Sequence, residues 1–196
     1  KSDRRLQFIW DALMNMQEEL IKIGSSLEVY YGTPEKVFTN LTGKYEIQTV
    51  YTNHDYEPYA IERDELVEKI LNEKNIEFRT YKDQVIFEKE EVVKDDGKPY
   101  TVFTPFSRKW KAHLTEKHLQ PFPTEIYFPN FYRQSPVVIP SLESMGFKET
   151  WKIFPSMKPG DELIRQYDET RNFPSMEGTS RLGVHLRFGT ISIRSL

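Results

Sequence analysis

The chain contains no cysteine. Disulfides, thiolate nucleophiles and cysteine-based metal sites are therefore excluded. No apolar run is long enough to span a bilayer, and the first residues do not read as a signal peptide. There is little charge of either sign in excess: 27 Lys and Arg stand against 30 Asp and Glu, a formal net charge of −3. No global field draws such a chain to nucleic acid, so any DNA contact needs a local basic patch. Glycine is scarce, at 9 of 196 residues. No Gly-rich phosphate loop follows any predicted strand, which disfavours a plain nucleotide-binding α/β module. The histidines (His54, His113, His118 and His185) are scattered, and His113 and His118 lack metal-ligand spacing, so no metal site is expected. Internal repeats and low-complexity tracts are also absent. What the chain does have is aromatic residues, at 14%. With so few glycines, most of them are expected to fill a core.

Leu6, Ile9, Leu13, Met16, Leu20 and Ile23 step by three and four, the face of an amphipathic helix that Gly24 stops. Leu27, Val29 and Tyr31 alternate, predicting a short strand over Ser26–Tyr31. Thr33-Pro34 reads as an N-cap with proline at the first helical position, opening a second helix through Val37, Phe38 and Leu41. Ile47–Thr52 is a second predicted strand. A helix from about Tyr59 to Glu73 carries Leu66, Val67, Ile70 and Leu71, with Asn75 marking its end. Ile76–Tyr81 is a third strand. Helices alternating with strands require crossover connections, hence an α/β fold with a parallel sheet and flanking helices. Such a sheet usually starts with a strand, so its first strand is expected upstream of Lys1.

The pattern then changes. Val85-Ile86-Phe87 is a short apolar piece, Asp95-Asp96-Gly97 a turn, and Tyr100–Phe103 an extended stretch. Thr104-Pro105 opens a helix containing Trp110 and Leu114. Seven of the 12 prolines lie between Pro121 and Pro159, which largely blocks regular structure there. Residues 120–142 hold Phe122, Ile126, Tyr127, Phe128, Phe131 and Tyr132, too apolar for a free tether. Gly160-Asp161 starts a helix running through Tyr167 to about Asn172. Ser192 reads as the cap of a last one.

The stretch Gly178-Thr179-Ser180-Arg181-Leu182 has the form of a helix start facing an anion: a glycine, two hydroxyls, an arginine, then the apolar series Leu182, Leu186 and Phe188. The same residues read equally as an ordinary Thr N-cap on a structural helix.

Several motifs in order resemble the photolyase/cryptochrome family of blue-light flavoproteins. They are Asp3-Arg4-Arg5 with Gly24-Ser25-Ser26-Leu27, Tyr51–Asp64 (YTNHDYEPYAIERD), Lys82–Phe87 (KDQVIF), Val102–Trp110 (VFTPFSRKW), and Tyr167, Arg171, Asn172-Phe173-Pro174 with Gly178–Leu182. The resemblance implies three parts: an α/β Rossmann-like antenna domain over 1–119, an interdomain linker over 120–158, and the truncated start of an all-α FAD-binding domain over 159–196. Tyr167, Thr179, Ser180, Arg181 and Leu182 fall on the family's FAD-contacting positions. Gly183 falls where many members have a serine, leaving only its backbone N–H for a phosphate. Arg171 resembles an arginine that helps hold DNA, and also reads as a solvated helix-end arginine.

What the resemblance implies for function is light-driven repair of cyclobutane pyrimidine dimers in DNA by a FAD-dependent lyase, a cytoplasmic monomer without membrane contact. The alternative is a cryptochrome, a photoreceptor with the same flavin site and no repair. Folate-binding members carry Asn-Glu where Tyr59-Ala60 lie here. A folate antenna is therefore disfavoured, and a flavin-like antenna or none fits better. The flavin-ring, dimer-pocket and electron-chain residues are expected past Leu196, so no catalytic residue is assigned, and this stretch alone is expected to lack FAD and repair activity. Trp10, Trp110 and Trp151 read as core or interface aromatics, and His185 as a packing residue.

Overall fold

The computed structural model describes residues 1–150 and 153–196; Trp151 lies outside them. The helices are α1 (Arg4–Lys22), α2 (Pro34–Lys44), α3 (Pro58–Asn72), α4 (Phe103–His113), α5 (Glu116–Leu119), α6 (Asp161–Arg165), α7 (Tyr167–Thr170) and α8 (Gly183–Phe188). The strands are β1 (Thr49–Asn53) and β2 (Glu77–Tyr81), and 3-10 turns cover Thr124–Asn130 and Ile193–Ser195. The chain forms two compact units, one of residues 31–120 and one of 1–30 with 121–196. This grouping places α1 with residues 121–196 and not with the sheet that follows it in sequence.

Residues 31–120 contain the α/β element that the alternation predicts. β1 and β2 pair in parallel, with Thr49 opposite Glu77 and Asn53 opposite Tyr81. α3 is the crossover between them, as a parallel pair demands. Proline occupies its first turn, and a turn beyond its end closes at Asn75 in the left-handed region at φ 58°. Val67 and Leu71 of α3 meet Ile76, with Val50, Phe78, Ile47 and Phe38 packed around them. Val50 and Phe78 are register partners on one sheet face. The next residues along, Tyr51 and Arg79, are on the other face, where Tyr51 stacks on Tyr81 at 6.2 Å. Trp110 meets Phe87 edge-on at 5.5 Å, a packing role as expected.

In the other unit, Asp3 caps α1 by accepting from the N–H groups of Arg5 and Leu6 at 2.9 and 3.4 Å. Gly24 follows its end at φ 77°, the left-handed stop that the sequence predicts. The most deeply buried side chains of α1 are Gln7, Phe8 and Gln17, not the predicted apolar series. The reason is the partner. α1 packs against the proline-rich stretch after 131, whose backbone groups need donors and acceptors that a sheet would otherwise provide. Trp10 Nε1 donates to the carbonyl of Pro140 at 3.0 Å, and Gln7 Oε1 accepts from the N–H of Thr150 at 3.0 Å.

The same bonding explains why Ser26–Tyr31 is not a strand. The N–H of Leu27 donates to Gln17 Oε1 at 2.6 Å, and Gln134 Nε2 donates to the carbonyl of Ser26 at 3.0 Å. At the start of this stretch amide side chains, not a strand ladder, bond the backbone. Tyr100–Phe103 is likewise no strand, and α4 begins at Phe103, before the predicted Thr104-Pro105 start. Thr33 precedes Pro34 as expected but makes no side-chain cap bond. The predicted helix over 160–172 breaks into α6 and α7 at Gln166. Ser192 does cap the last turn, accepting from Arg194 N at 3.1 Å.

Leu71 is 0% exposed and central to the 31–120 core, whereas Met16 is 53% exposed. Leu71→Ala is expected to destabilise that unit by about 2–5 kcal/mol, and Met16→Ala by about 0.5 kcal/mol or less. Urea unfolding followed by circular dichroism measures both.

Candidate cofactor site

The residues expected to meet a flavin lie on α7 and on the segment from 178 to the start of α8. Tyr167 opens α7, and the Arg171 guanidinium lies 5.7 Å from its ring centroid. Thr170 ends α7; its hydroxyl faces the carbonyl oxygens of Gln166 at 2.9 Å and Gly178 at 3.3 Å. This contact closes the turn-rich loop from 171 to 177 and brings the second segment back against α7.

The helix start is not where the sequence predicts it. Thr179 is exposed and irregular, Arg181 takes a left-handed φ of 52°, and α8 begins only at Gly183 with Leu182 before it. The Thr N-cap reading is therefore corrected. A non-glycine residue at positive φ breaks the helical path, so the hydroxyls precede the helix by a full turn. α8 has six residues, too few for its dipole to carry an anion-binding argument. What remains is a short irregular segment of mixed exposure. Thr179, Arg181 and Gly183 are exposed, Ser180 is half-buried and Leu182 is buried. Arg181 Nη2 pairs with Glu177 Oε1 at 2.8 Å, both side chains largely in solvent. A Cβ on Gly183 would meet nothing within 4 Å, so packing does not require glycine there.

The structure brings Tyr167 to Arg171, and the 178 segment to Thr170. Among the described residues, no hydrogen bond joins Tyr167 to residues 179–183. Thr170 was not visible as a site residue, because nothing in the sequence says which side chain faces Gly178. His185 behaves as a packing residue, as expected. It is buried, its Nε2 donates to the carbonyl of Pro155 at 2.7 Å, and its Nδ1 lies 2.8 Å from the Thr190 hydroxyl. Its ring packs edge-on against Phe8 at 5.4 Å, and Phe154 and Phe188 complete the cluster.

A second cluster lies at the carboxyl ends of β1 and β2, where parallel sheets place their ligands. His54 follows β1. Its Nδ1 lies 2.8 Å from Glu88 Oε2 and its Nε2 lies 2.9 Å from Thr80 Oγ1. A carboxylate can only accept, so Nδ1 carries a proton. Tyr56 donates to the same Glu88 oxygen at 2.5 Å. Gln84 Nε2 donates to the carbonyl of His54 at 2.9 Å, and Lys82 pairs with Glu91 at 2.7 Å. Residues 82–91 are thus strapped across the strand ends. The hydrogen bonds from Tyr56 and then His54 hold the Glu88 carboxyl below its usual range. Burial, and next the bond to Glu88, push the Tyr56 hydroxyl up to about 12. The resemblance placed His54 and Tyr56 within its Tyr51–Asp64 motif, but sequence reasoning missed Glu88, which is remote in sequence. Among the described residues no group of acidic and histidine side chains could hold a metal ion.

With this geometry in view, comparison with known proteins gives the family. The family model for DNA photolyase matches residues 1–126. The chain belongs to the DNA photolyase family. A deoxyribodipyrimidine photo-lyase of Halobacterium salinarum is 31% identical, the alignment covering 98% of this chain and 42% of that protein. One from Synechococcus is 29% identical over 97% of this chain and 42% of that protein. The crystal structure of an archaeal photolyase from Sulfolobus tokodaii with two FAD molecules superposes with a TM-score of 0.69. It is 26% identical and covers all of this chain and 43% of its own. The chain therefore spans about two fifths of the length of these photolyases. The α/β fold class read from the sequence is the family's. No helix among the described residues is long and apolar enough to cross a membrane.

The depressed Glu88 carboxyl sets a pH dependence. Its folded value lies below the unfolded one, so its stabilising contribution is present above about pH 4.3 and is lost as pH falls through the lowered value. Tyr56→Phe removes the largest cause of that depression. The Glu88 titration, followed by carboxyl-carbon NMR, is expected to move to higher pH, and acid unfolding with it.

Proposed function

We propose that this chain is the antenna domain and the first FAD-contacting segment of a deoxyribodipyrimidine photo-lyase that repairs cyclobutane pyrimidine dimers in light. What supports the reading is the photolyase family match, together with alignment of nearly the whole chain to relatives that carry that name. The proposed parts are 1–119 as antenna domain, 120–158 as linker and 159–196 as the opening of the FAD-binding domain. The working protein is a cytoplasmic monomer whose partner is damaged DNA.

FAD, when bound, supplies the light-driven electron transfer that splits the dimer. The protein's part is binding, orientation and charge. Tyr167, Thr179, Ser180, Arg181, Leu182 and the Gly183 N–H are proposed to hold its diphosphate and ribityl region. The residues present fit such a group. Arg181 already binds an anion, the Glu177 carboxylate, and a diphosphate offers a stronger one. The exposed Thr179 hydroxyl and Gly183 backbone are open to a ligand. Arg171, beside Tyr167, is proposed to contact a DNA phosphate. The dimer itself must leave the base stack to reach a flavin. Tyr59-Ala60 in place of the folate motif keeps the antenna a non-folate one or none.

The protein expressed from its gene is expected to bind FAD and restore dimer-containing oligonucleotides under blue light and not in the dark. Bound, reduced FAD with no repair in light overturns this reading in favour of a cryptochrome-type photoreceptor. The 196-residue chain alone is expected to purify colourless, and flavin absorbance at one equivalent contradicts that.

Gly183→Ser tests the proposed contact directly. Nothing crowds the new Cβ, so the variant is expected to fold normally. One added hydrogen bond is worth about 0.5–1.5 kcal/mol, so FAD binding to the gene product tightens roughly 2- to 10-fold, read by flavin fluorescence titration.

A further inference from the structure

We propose that the close approach of Gly178 to Thr170 positions the 179–183 segment for the cofactor, making both residues positioning residues of the site. The proposal rests on the flavin reading above and adds to it the contact that sets its geometry. Gly178 is buried, whereas residues 171–177 before it and Thr179 after it are exposed. A Cβ built on Gly178 would stand 2.5 Å from Thr170 Cβ, 2.5 Å from its Oγ1 and 2.8 Å from its carbonyl carbon. Two of those three atoms cannot rotate away, being backbone or attached directly to it. The constraint is therefore space and not backbone conformation, since Gly178 is absent from the positive-φ glycines.

The contact joins two parts of the proposed site. Thr170 ends the helix that Tyr167 begins, and Arg171 follows it. The single Thr170 hydroxyl proton goes to the nearer carbonyl, that of Gln166 at 2.9 Å, while the Gly178 carbonyl lies 3.3 Å away. Between them the loop is turned by bonds from Phe173 N to Thr170 O at 3.1 Å and from Met176 N to Phe173 O at 3.0 Å. A glycine at 178 lets the returning backbone lie against Thr170. Any side chain there moves the segment outward and carries Thr179, Ser180 and Arg181 with it, away from their spacing to Tyr167. The hydrogen bond itself is long, so close packing, not the hydroxyl, is what positions the segment.

The test uses the protein expressed from its gene. Gly178→Ala is expected to keep its circular dichroism spectrum while FAD affinity falls at least tenfold by fluorescence titration. In hydrogen–deuterium exchange of the flavin-free protein, amides of 178–182 should exchange faster, with residues 31–120 unchanged. Thr170→Val keeps the branched shape and drops the hydroxyl, and affinity should stay within threefold. If the alanine variant does not fold, Thr170→Gly takes its place. It removes the wall without a clash, and is expected to raise exchange at 178–182 and weaken FAD at least threefold. Unchanged affinity in a folded Gly178→Ala or Thr170→Gly variant overturns this proposal alone, as does weakened affinity without faster exchange at 178–182. A wild-type gene product that binds no FAD overturns the flavin reading and this proposal together.

Discussion

The amide of Gln17 holds together much of the unit that contains the candidate cofactor residues. It is 5% exposed, and its hydrogen-bonding capacity is fully used. Nε2 donates to Ser26 Oγ at 2.9 Å and to the carbonyl of Val137 at 2.7 Å; Oε1 accepts from Leu27 N at 2.6 Å and from the Ser26 hydroxyl. One side chain on α1 thus fixes two irregular backbone segments more than a hundred residues apart in sequence. A half-satisfied amide in this place would cost more than none, because each unpaired buried group loses its hydration. Ser26 shares the work, since its Oγ also accepts from Val137 N at 2.8 Å. The proline-rich stretch can run past α1 without regular structure because these side chains do what a strand ladder would do.

That arrangement explains what could be read from the sequence and what could not. Periodicity located α1, α2, α3 and both strands because apolar residues repeat with the backbone in each, although only α3 places such residues fully in the core. Gly24 and Asn75 marked helix ends correctly because both sit at positive φ, where the residue type itself carries the information. Ser26–Tyr31 misled for the opposite reason. Its alternation is genuine, but a strand also needs a neighbour, and here its backbone is bonded to side chains. The burial of Gln7 and Gln17 in preference to the leucines of α1 was equally invisible, since it depends on a partner segment whose backbone lacks a ladder.

The candidate site divides in the same way. The identities of Tyr167 and of Thr179 to Gly183 were legible as a motif. Their conformation was not. An arginine in the left-handed region moves the helix start from Thr179 to Gly183, and arginine, unlike glycine or asparagine, carries no preference that anticipates it. Consecutive residues in a regular helix point in directions 100° apart, and the irregular turn at 179–182 frees this segment from that constraint.

Charge gives the last constraint. A net charge of −3 leaves no general attraction for polyanions, so arginines must act one at a time. Arg181 is held by Glu177 in an exposed pair, and Arg171 lies over the Tyr167 ring. Exposed pairs of this kind are worth about 0–1 kcal/mol. A carboxylate held that weakly yields to a bidentate phosphate at small cost. The residue before the hydroxyls and the residue after them therefore do different work. Gly178 sets where the segment lies, and Glu177 pairs with Arg181 without competing strongly for it. On the proposed reading, a segment with few positive charges around it relies on placement for the affinity that bulk electrostatics does not supply.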